Sequence, residues 1–305
     1  MNFFSVLIDC ILSFGRISFL ALIGAFDAAL SIVDDTGLLG SRRKTATISE
    51  WIRRLMKRRP DVVRRMTPPR KLIYVGRGDF LAVGEEFAGY LVGLCNLRPE
   101  ESVLDVGCGV GRIAIPLTQY LAGEGSYDGF DIVGPGIEWC RQRITTKYPR
   151  FIFKLLDVTN TLYNPAGRVD PLEVRFPYED ETFDLVFVVS VFTHMLPQGV
   201  EHYLSEIFRV LKSEGRCLMT AFLIDDVAEQ HLAEGVSPLY PRFNCGLYRV
   251  ISKDSQEITV FHEQANLLRL IEASGLRLAR NIDYGSWCGR RNYLSYQDVV
   301  VAEKR

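Results

Sequence analysis

The feature that most constrains this chain is the run Val103-Leu104-Asp105-Val106-Gly107-Cys108-Gly109-Val110-Gly111-Arg112. An apolar segment enters a turn with glycine at every second position and leaves into a helix-like stretch. Such glycines are needed where the chain turns sharply and its backbone must approach a ligand more closely than a Cβ permits. The run therefore predicts a strand, a ligand-holding turn and a helix, in that order.

From about Pro99 onward, short apolar runs alternate with helix-like segments, the pattern of βα units around a parallel sheet. The predicted strands are Ser102 to Val106, Ser126 to Ile132, Phe151 to Leu156, Phe183 to Ser190, Arg216 to Phe222, Leu276 to Tyr284 and Gln297 to Ala302. Predicted helices cover Arg112 to Leu121, Gly136 to Tyr148, Val200 to Leu211 and His262 to Ala273, the last stopped by Gly275. The expected fold class is α/β: a seven-stranded, mostly parallel sheet with helices on both faces, preceded by an N-terminal helical extension.

Composition supports a globular chain with ample core: 305 residues, 48% hydrophobic and 24% charged. The seven cysteines are scattered and form no Cys-x-x-Cys pair, so neither a disulfide framework nor a zinc site is expected, and a reducing, cytoplasmic setting fits. No metal is called for.

Charge is unevenly placed. The net charge is −1, yet about twelve Lys and Arg between Arg42 and Lys71 face only Glu50 and Asp61, roughly +10 in one short segment. The remainder is acidic, which argues against a nucleic-acid partner, as does the lack of an Asn/Asp-Pro-Pro-Tyr/Phe signature.

Ahead of the basic segment, Phe3 to Val33 is mostly apolar but carries Asp9, Arg16 and Asp27 near whole-turn spacing. These charges break any run long enough to span a bilayer and fit a signal peptide poorly. One expectation is an interfacial helix whose basic sequel, within residues 1–71, meets an anionic membrane surface at its cytoplasmic face. The others are packing on the catalytic domain, dimerisation or nuclear localisation. The expected domains are 1–60 as this extension, 61–98 as an N-terminal cap, and 99–305 as the catalytic unit with a lid-like insertion at 225–259.

Two further positions sharpen the site. Asp131 ends the second strand at the distance expected of a carboxylate accepting hydrogen bonds from ribose hydroxyls. Ser190 ends the fourth, where side chains line the ligand crevice of an open α/β sheet, and Phe192-Thr193-His194-Met195 follows it. A dinucleotide site is the rival reading, but counting Gly-x-Gly-x-x-Gly from Gly107 puts Arg112 where a small residue should pack helix on strand.

The Asp-x-Gly-x-Gly-x-Gly run, with Asp131 and the Phe-Thr-His-Met segment, resembles class I (Rossmann-like) S-adenosylmethionine-dependent methyltransferases over Pro99 to Lys304. A weaker similarity to uncharacterised bacterial members extends upstream over Pro68 to Leu72 and Gly76 to Phe80. The resemblance implies S-adenosylmethionine as cofactor, with Asp105, Gly107, Gly109 and Gly111 beneath its methionine part. It implies Asp131 and Ile132 at the ribose, Asp157 and the Val158 amide at the adenine, and Ser190 nearby.

His194, just past the fourth strand, is the candidate base for a hydroxyl or amine acceptor. Acceptor recognition is expected from Tyr74 to Phe87, where Gly76, Gly78 and Gly84 permit a chain folding over the cofactor, with Asp79 and Phe80 as the candidate substrate contacts. The expected activity is methyl transfer to a small or lipid-like acceptor. The alternatives are a soluble enzyme acting on a polar metabolite, sugar or protein, and a non-catalytic cofactor-binding scaffold.

Overall fold

The computed structural model describes residues 60–74 and 78–305. Residues 1–59 of the extension expected over 1–60, most of the basic segment, and Gly76 lie outside the described residues. Among the described residues, no helix is long and apolar enough to cross a membrane.

In chain order the main sheet begins with β1 (Ser102–Val106), β2 (Ser126–Asp131), β3 (Phe151–Leu155), β4 (Phe183–Val188) and β5 (Leu211–Ala221). Four short strands, β6 (Leu223–Ile224), β7 (Phe243–Asn244), β8 (Tyr248–Val250) and β9 (Val260–Glu263), form a second sheet. Strands β10 (Leu276–Leu278) and β11 (Asp298–Lys304) return to the first. Its order is β10-β11-β5-β4-β1-β2-β3, with β11 antiparallel to both neighbours and the other pairings parallel. The chain steps outward from β1 to β3, then crosses back to lay β4 beside β1. That reversal opens a crevice at the carboxyl ends of β1 and β4, where ligands of such sheets sit.

The helices are α1 (Pro60–Met66), α2 (Phe80–Cys95), α3 (Ala114–Leu117), α4 (Gly134–Cys140, continued by a π-turn over Arg141–Thr145), α5 (Pro197–Val210), α6 (Asp226–Ala233) and α7 (Gln264–Ala273). Successive residues of a strand point to opposite faces. Accordingly Val103, Leu185 and Phe187 pack with α2 and α3 on one side, while Leu104, Val106, Val186 and Val188 pack with α5 and α7 on the other. Both faces of the central strands are thereby buried, which explains their unbroken apolar sequence.

Four expectations are corrected. The segment expected over Tyr74 to Phe87 to fold over the cofactor is helical from Phe80: Asp79 Oδ1 accepts the Ala82 N–H at 2.7 Å as N-cap, and α2 runs to a left-handed Asn96. Helix α2 is buried on nearly every side, so it carries no polar stripe to betray a 3.6-residue period. The helix expected from His262 starts at Gln264, because Val260–Glu263 pairs with β8. The strand expected over Leu276 to Tyr284 stops at Leu278. The helix expected over Arg112 to Leu121 keeps α-helical form over Ala114–Leu117 and continues as tighter turns, with the Gln119 N–H on the Pro116 carbonyl and the Tyr120 N–H on that of Leu117.

The insertion at 225–259 folds as α6, β7 and β8, and joins β6 and β9 around Phe222, Phe261 and Trp287. Asp298, fully buried, fastens this unit to the main sheet. Its carboxylate accepts from the Leu223 N–H at 2.8 Å, the Gly285 N–H at 2.6 Å and Trp287 Nε1 at 2.7 Å.

Candidate active site

A cavity of about 630 Å³ opens at the sheet reversal, within the roughly 300–1,000 Å³ usual for small-molecule sites. Its floor is the turn after β1. Gly107, Gly109 and Gly111 all adopt positive φ, at 81°, 56° and 78°, where any other residue is strained. A Cβ on Gly107 would stand 2.4 Å from Val191 Cγ2 and close the approach to the floor. The Gly107 and Cys108 N–H groups both reach the Phe130 carbonyl at 2.9 Å, which ties the turn to the end of β2.

Asp131 completes that tie. Its Oδ2 accepts the Gly109 N–H at 2.8 Å, and its Oδ1 accepts the Val133 N–H at 2.9 Å and, at 3.4 Å, the Tyr74 hydroxyl. Burial raises its pKa, and the backbone N–H donors oppose that rise.

Asp105 is also buried, with Tyr127 donating to its Oδ2 at 2.6 Å. Burial first of all, helped by the charge of Asp131, pushes its pKa up to about 8. An unfolded aspartate ionises near 3.9, so folding favours the protonated form. The resulting stability is full below about pH 4 and is lost as pH rises to about 8. Denaturation midpoints of the cofactor-free protein are expected to fall across that window, and Asp105→Asn to flatten the slope. An unchanged slope in the variant would refute the assignment.

Of the residues singled out in the sequence, Asp105, Gly107, Gly109, Asp131, Ile132, Val158, Ser190 and His194 line the cavity. Ser190 is a non-glycine residue at φ 60°, held there by its N–H on Thr220 Oγ1 at 2.8 Å. Such strain persists where the surroundings over-determine it, often at a functional position.

The remaining four lie elsewhere. Gly111 sits behind the floor, where a Cβ would meet Ile144 and Cys140. Asp157 is half-buried and its carboxylate is taken by Arg168 at 2.6 Å, which lowers its pKa. Asp79 caps α2, and Phe80 is buried beneath the Arg112 guanidinium, 5.3 Å from ring to cation. From that segment Tyr74, Val83 and Phe87 reach the cavity instead.

His194 ends a 3₁₀ turn (Phe192–His194) after β4. Its Nδ1 bonds the Glu257 carbonyl at 2.9 Å, an arrangement that puts the ring proton on Nδ1 and the lone pair on Nε2. Burial lowers its pKa, opposed by the Glu257 and Ile258 carbonyls, so the ring is neutral at physiological pH. The Tyr163 ring meets it edge-on at 5.7 Å and lies 6.1 Å from Tyr74. Tyr163 and Glu257 were not legible in the sequence: they come from irregular segments 94 residues apart, with no periodicity or motif to mark either.

Comparison with known proteins agrees with this geometry. Residues 104–219 match the family model for a methyltransferase domain. The chain is 30% identical over 135 residues to a sterol 24-C-methyltransferase of Schizosaccharomyces pombe, covering 44% of this chain and 30% of that protein. It is 28% identical over 132 residues to a demethylmenaquinone methyltransferase of Symbiobacterium thermophilum, covering 43% and 47% respectively. The match thus spans less than half the length of either curated relative. Among solved structures, the PH0226 protein of Pyrococcus horikoshii OT3 shares the fold, with a TM-score of 0.52 at 18% identity over 77% of this chain and 95% of that one.

Fold, glycine turn and family match together define a methyltransferase domain of the class I, Rossmann-like kind. S-adenosylmethionine is the cofactor of that domain. The floor fits it: Gly107 and Gly109 line the cavity at positive φ, a Cβ on Gly107 would crowd Val191 there, and Asp131 lines the same cavity.

Proposed function

We propose that this protein methylates a small, apolar, lipid-like acceptor through a hydroxyl or similarly weak acid. The observation that carries the reading is the mostly apolar lining of the cavity, in which Val83, Phe87, Tyr163, Leu172, Met195 and Tyr203 stand with His194. Such a lining desolvates an apolar ring or chain well and a sugar or charged peptide poorly. The two curated relatives are named for a sterol and for demethylmenaquinone, which agrees with a lipid-like acceptor.

S-adenosylmethionine, when bound, supplies an electrophilic methyl group on a sulfonium, open to in-line displacement. The chain's own tasks are positioning and proton removal. Asp131, Ile132 and Val158 would hold the nucleoside end, and Asp105 with the glycine turn the amino-acid end. The apolar lining excludes water and fixes the acceptor, and alignment of this sort can lower a barrier by roughly 7–11 kcal/mol. His194, neutral and held through Nδ1, would take the acceptor proton on Nε2.

General bases of this type contribute about 10²–10⁴-fold. His194→Ala is therefore expected to lower kcat at least a hundredfold with little change in cofactor affinity, and a loss below tenfold would remove the base assignment.

The test of the acceptor class is transfer of label from methyl-labelled S-adenosylmethionine into a cell extract, followed by solvent partition. Label in the lipid fraction supports the reading, and label confined to water-soluble or macromolecular material overturns it.

The same proposal places the protein peripherally at a membrane, held by residues 1–71. Its described part contributes exposed Arg64, Arg65, Arg70 and Lys71. Flotation with anionic vesicles is expected for the full chain and not after removal of residues 1–60, and flotation that survives the truncation would defeat it.

A further inference from the structure

Glu257 makes two different connections from one position. Its side-chain Oε2 accepts the Thr161 N–H at 3.0 Å and the Thr161 hydroxyl at 2.5 Å, in the segment between β3 and β4. Its main-chain carbonyl accepts from His194 Nδ1 at 2.9 Å. The residue lies in the 3₁₀ turn Gln256–Ile258 of the insertion and itself lines the cavity. The segment it grips carries Thr159, Asn160 and Tyr163 into the same lining, and Tyr163 packs edge-on against His194.

We propose that Glu257 is a positioning residue that couples closure of two covering segments to the orientation of the candidate base. With Thr161 on Glu257, the 3₁₀ turn stands against His194 and its carbonyl fixes the imidazole with the proton on Nδ1. When the Thr161 contact breaks, the turn is released, the carbonyl withdraws, and the ring loses the partner that sets its tautomer. The cavity therefore opens and the base disarms in one event. The acceptor enters while the base is disarmed, and proton transfer is not available while the site is open and wet. The proposal rests on the methyltransferase reading of the cavity and on His194 as its base.

The groups facing His194 are few. Glu257 comes from the insertion, and its charge works against the burial of the ring. Tyr163 comes from the segment after β3. His262 of β9 bonds the Phe192 carbonyl in the same turn, and burial holds its pKa down to about 4, so it stays neutral. Asp131 lines the same cavity and reaches Tyr74, whose ring lies 6.1 Å from that of Tyr163.

The test reads the imidazole rather than turnover. The chain has four histidines, so ¹⁵N-labelled histidine spectra of the full-length protein can be assigned with a His194→Gln reference. With S-adenosylhomocysteine bound, wild-type His194 is expected almost wholly as the Nδ1–H tautomer, which free imidazole in water disfavours. Glu257→Ala should move it toward Nε2–H, and Thr161→Val should shift it the same way by less, since the backbone N–H remains. Glu257→Gln keeps an acceptor for Thr161 and should retain the wild-type tautomer, with a somewhat lower pKa because the nearby charge is gone.

An unaltered tautomer in Glu257→Ala, or an equal loss in Glu257→Gln, overturns the coupling. Failure of the underlying reading would appear separately, as absence of S-adenosylhomocysteine binding to the wild type in the same samples.

Discussion

Asp131→Ala is expected to weaken S-adenosylhomocysteine binding by at least a hundredfold, the largest single effect at this site. The carboxylate accepts the Gly109 and Val133 N–H groups, so it holds the turn that forms the cavity floor while itself lining the cavity. Hydrogen bonds to charged groups are worth about 1.5–3 kcal/mol each, and losing those to the ligand and to the turn together exceeds the roughly 2.7 kcal/mol that a hundredfold requires. Asp131→Asn keeps one acceptor oxygen and should fall between the two. Calorimetric titration distinguishes them, and a loss smaller than tenfold in the alanine variant would mean that the ligand sits elsewhere.

Gly84→Ala should lower stability markedly. Helix α2 crosses the start of the segment after the glycine turn so closely that a Cβ on Gly84 would stand 2.3 Å from the Arg112 carbonyl oxygen. That neighbour is backbone, so a rotamer change cannot relieve the clash; α2 or the residue following Gly111 must shift. Overpacking of this kind costs about 1–3 kcal/mol or more, enough to lower the melting temperature by several degrees. Because the displaced segment continues the cavity floor, cofactor affinity should drop with it. A variant as stable as the wild type would show that α2 is not held at this crossing.

The two predictions also mark what was and was not legible in the sequence. Asp131 was readable because a carboxylate at the end of a second strand has one dominant use beside a glycine turn. The turn itself was readable because three glycines at alternate positions serve no ordinary strand or helix. Gly84 was read as permitting a chain that folds over the cofactor, whereas it lies within α2 at a close crossing. A glycine serves flexibility or close approach, and only the crossing helix decides between them. Helix α2 was hidden for a related reason, since burial on nearly all sides removes the polar face from which helical periodicity is read.

The sites of Asp79, Phe80 and Asp157 were placed by position along the chain. In the fold their side chains are taken by a helix cap, a buried cation contact and an ion pair. Tyr163 and Glu257 meet His194 only once the segment between β3 and β4 and the insertion after β5 have folded against each other. Nothing local in either sequence announces that meeting. The core strands, by contrast, were found within about two residues of their ends except at β5 and β10, because apolar runs buried on two faces leave little choice of structure.

The most direct test of the account is a paired calorimetric titration of the full chain with S-adenosylhomocysteine and with NAD. The account predicts one site for S-adenosylhomocysteine, lost in Asp131→Ala, and no heat from NAD. Saturable binding of NAD with none of S-adenosylhomocysteine would contradict it, and would return the glycine turn to the dinucleotide reading that Arg112 argued against.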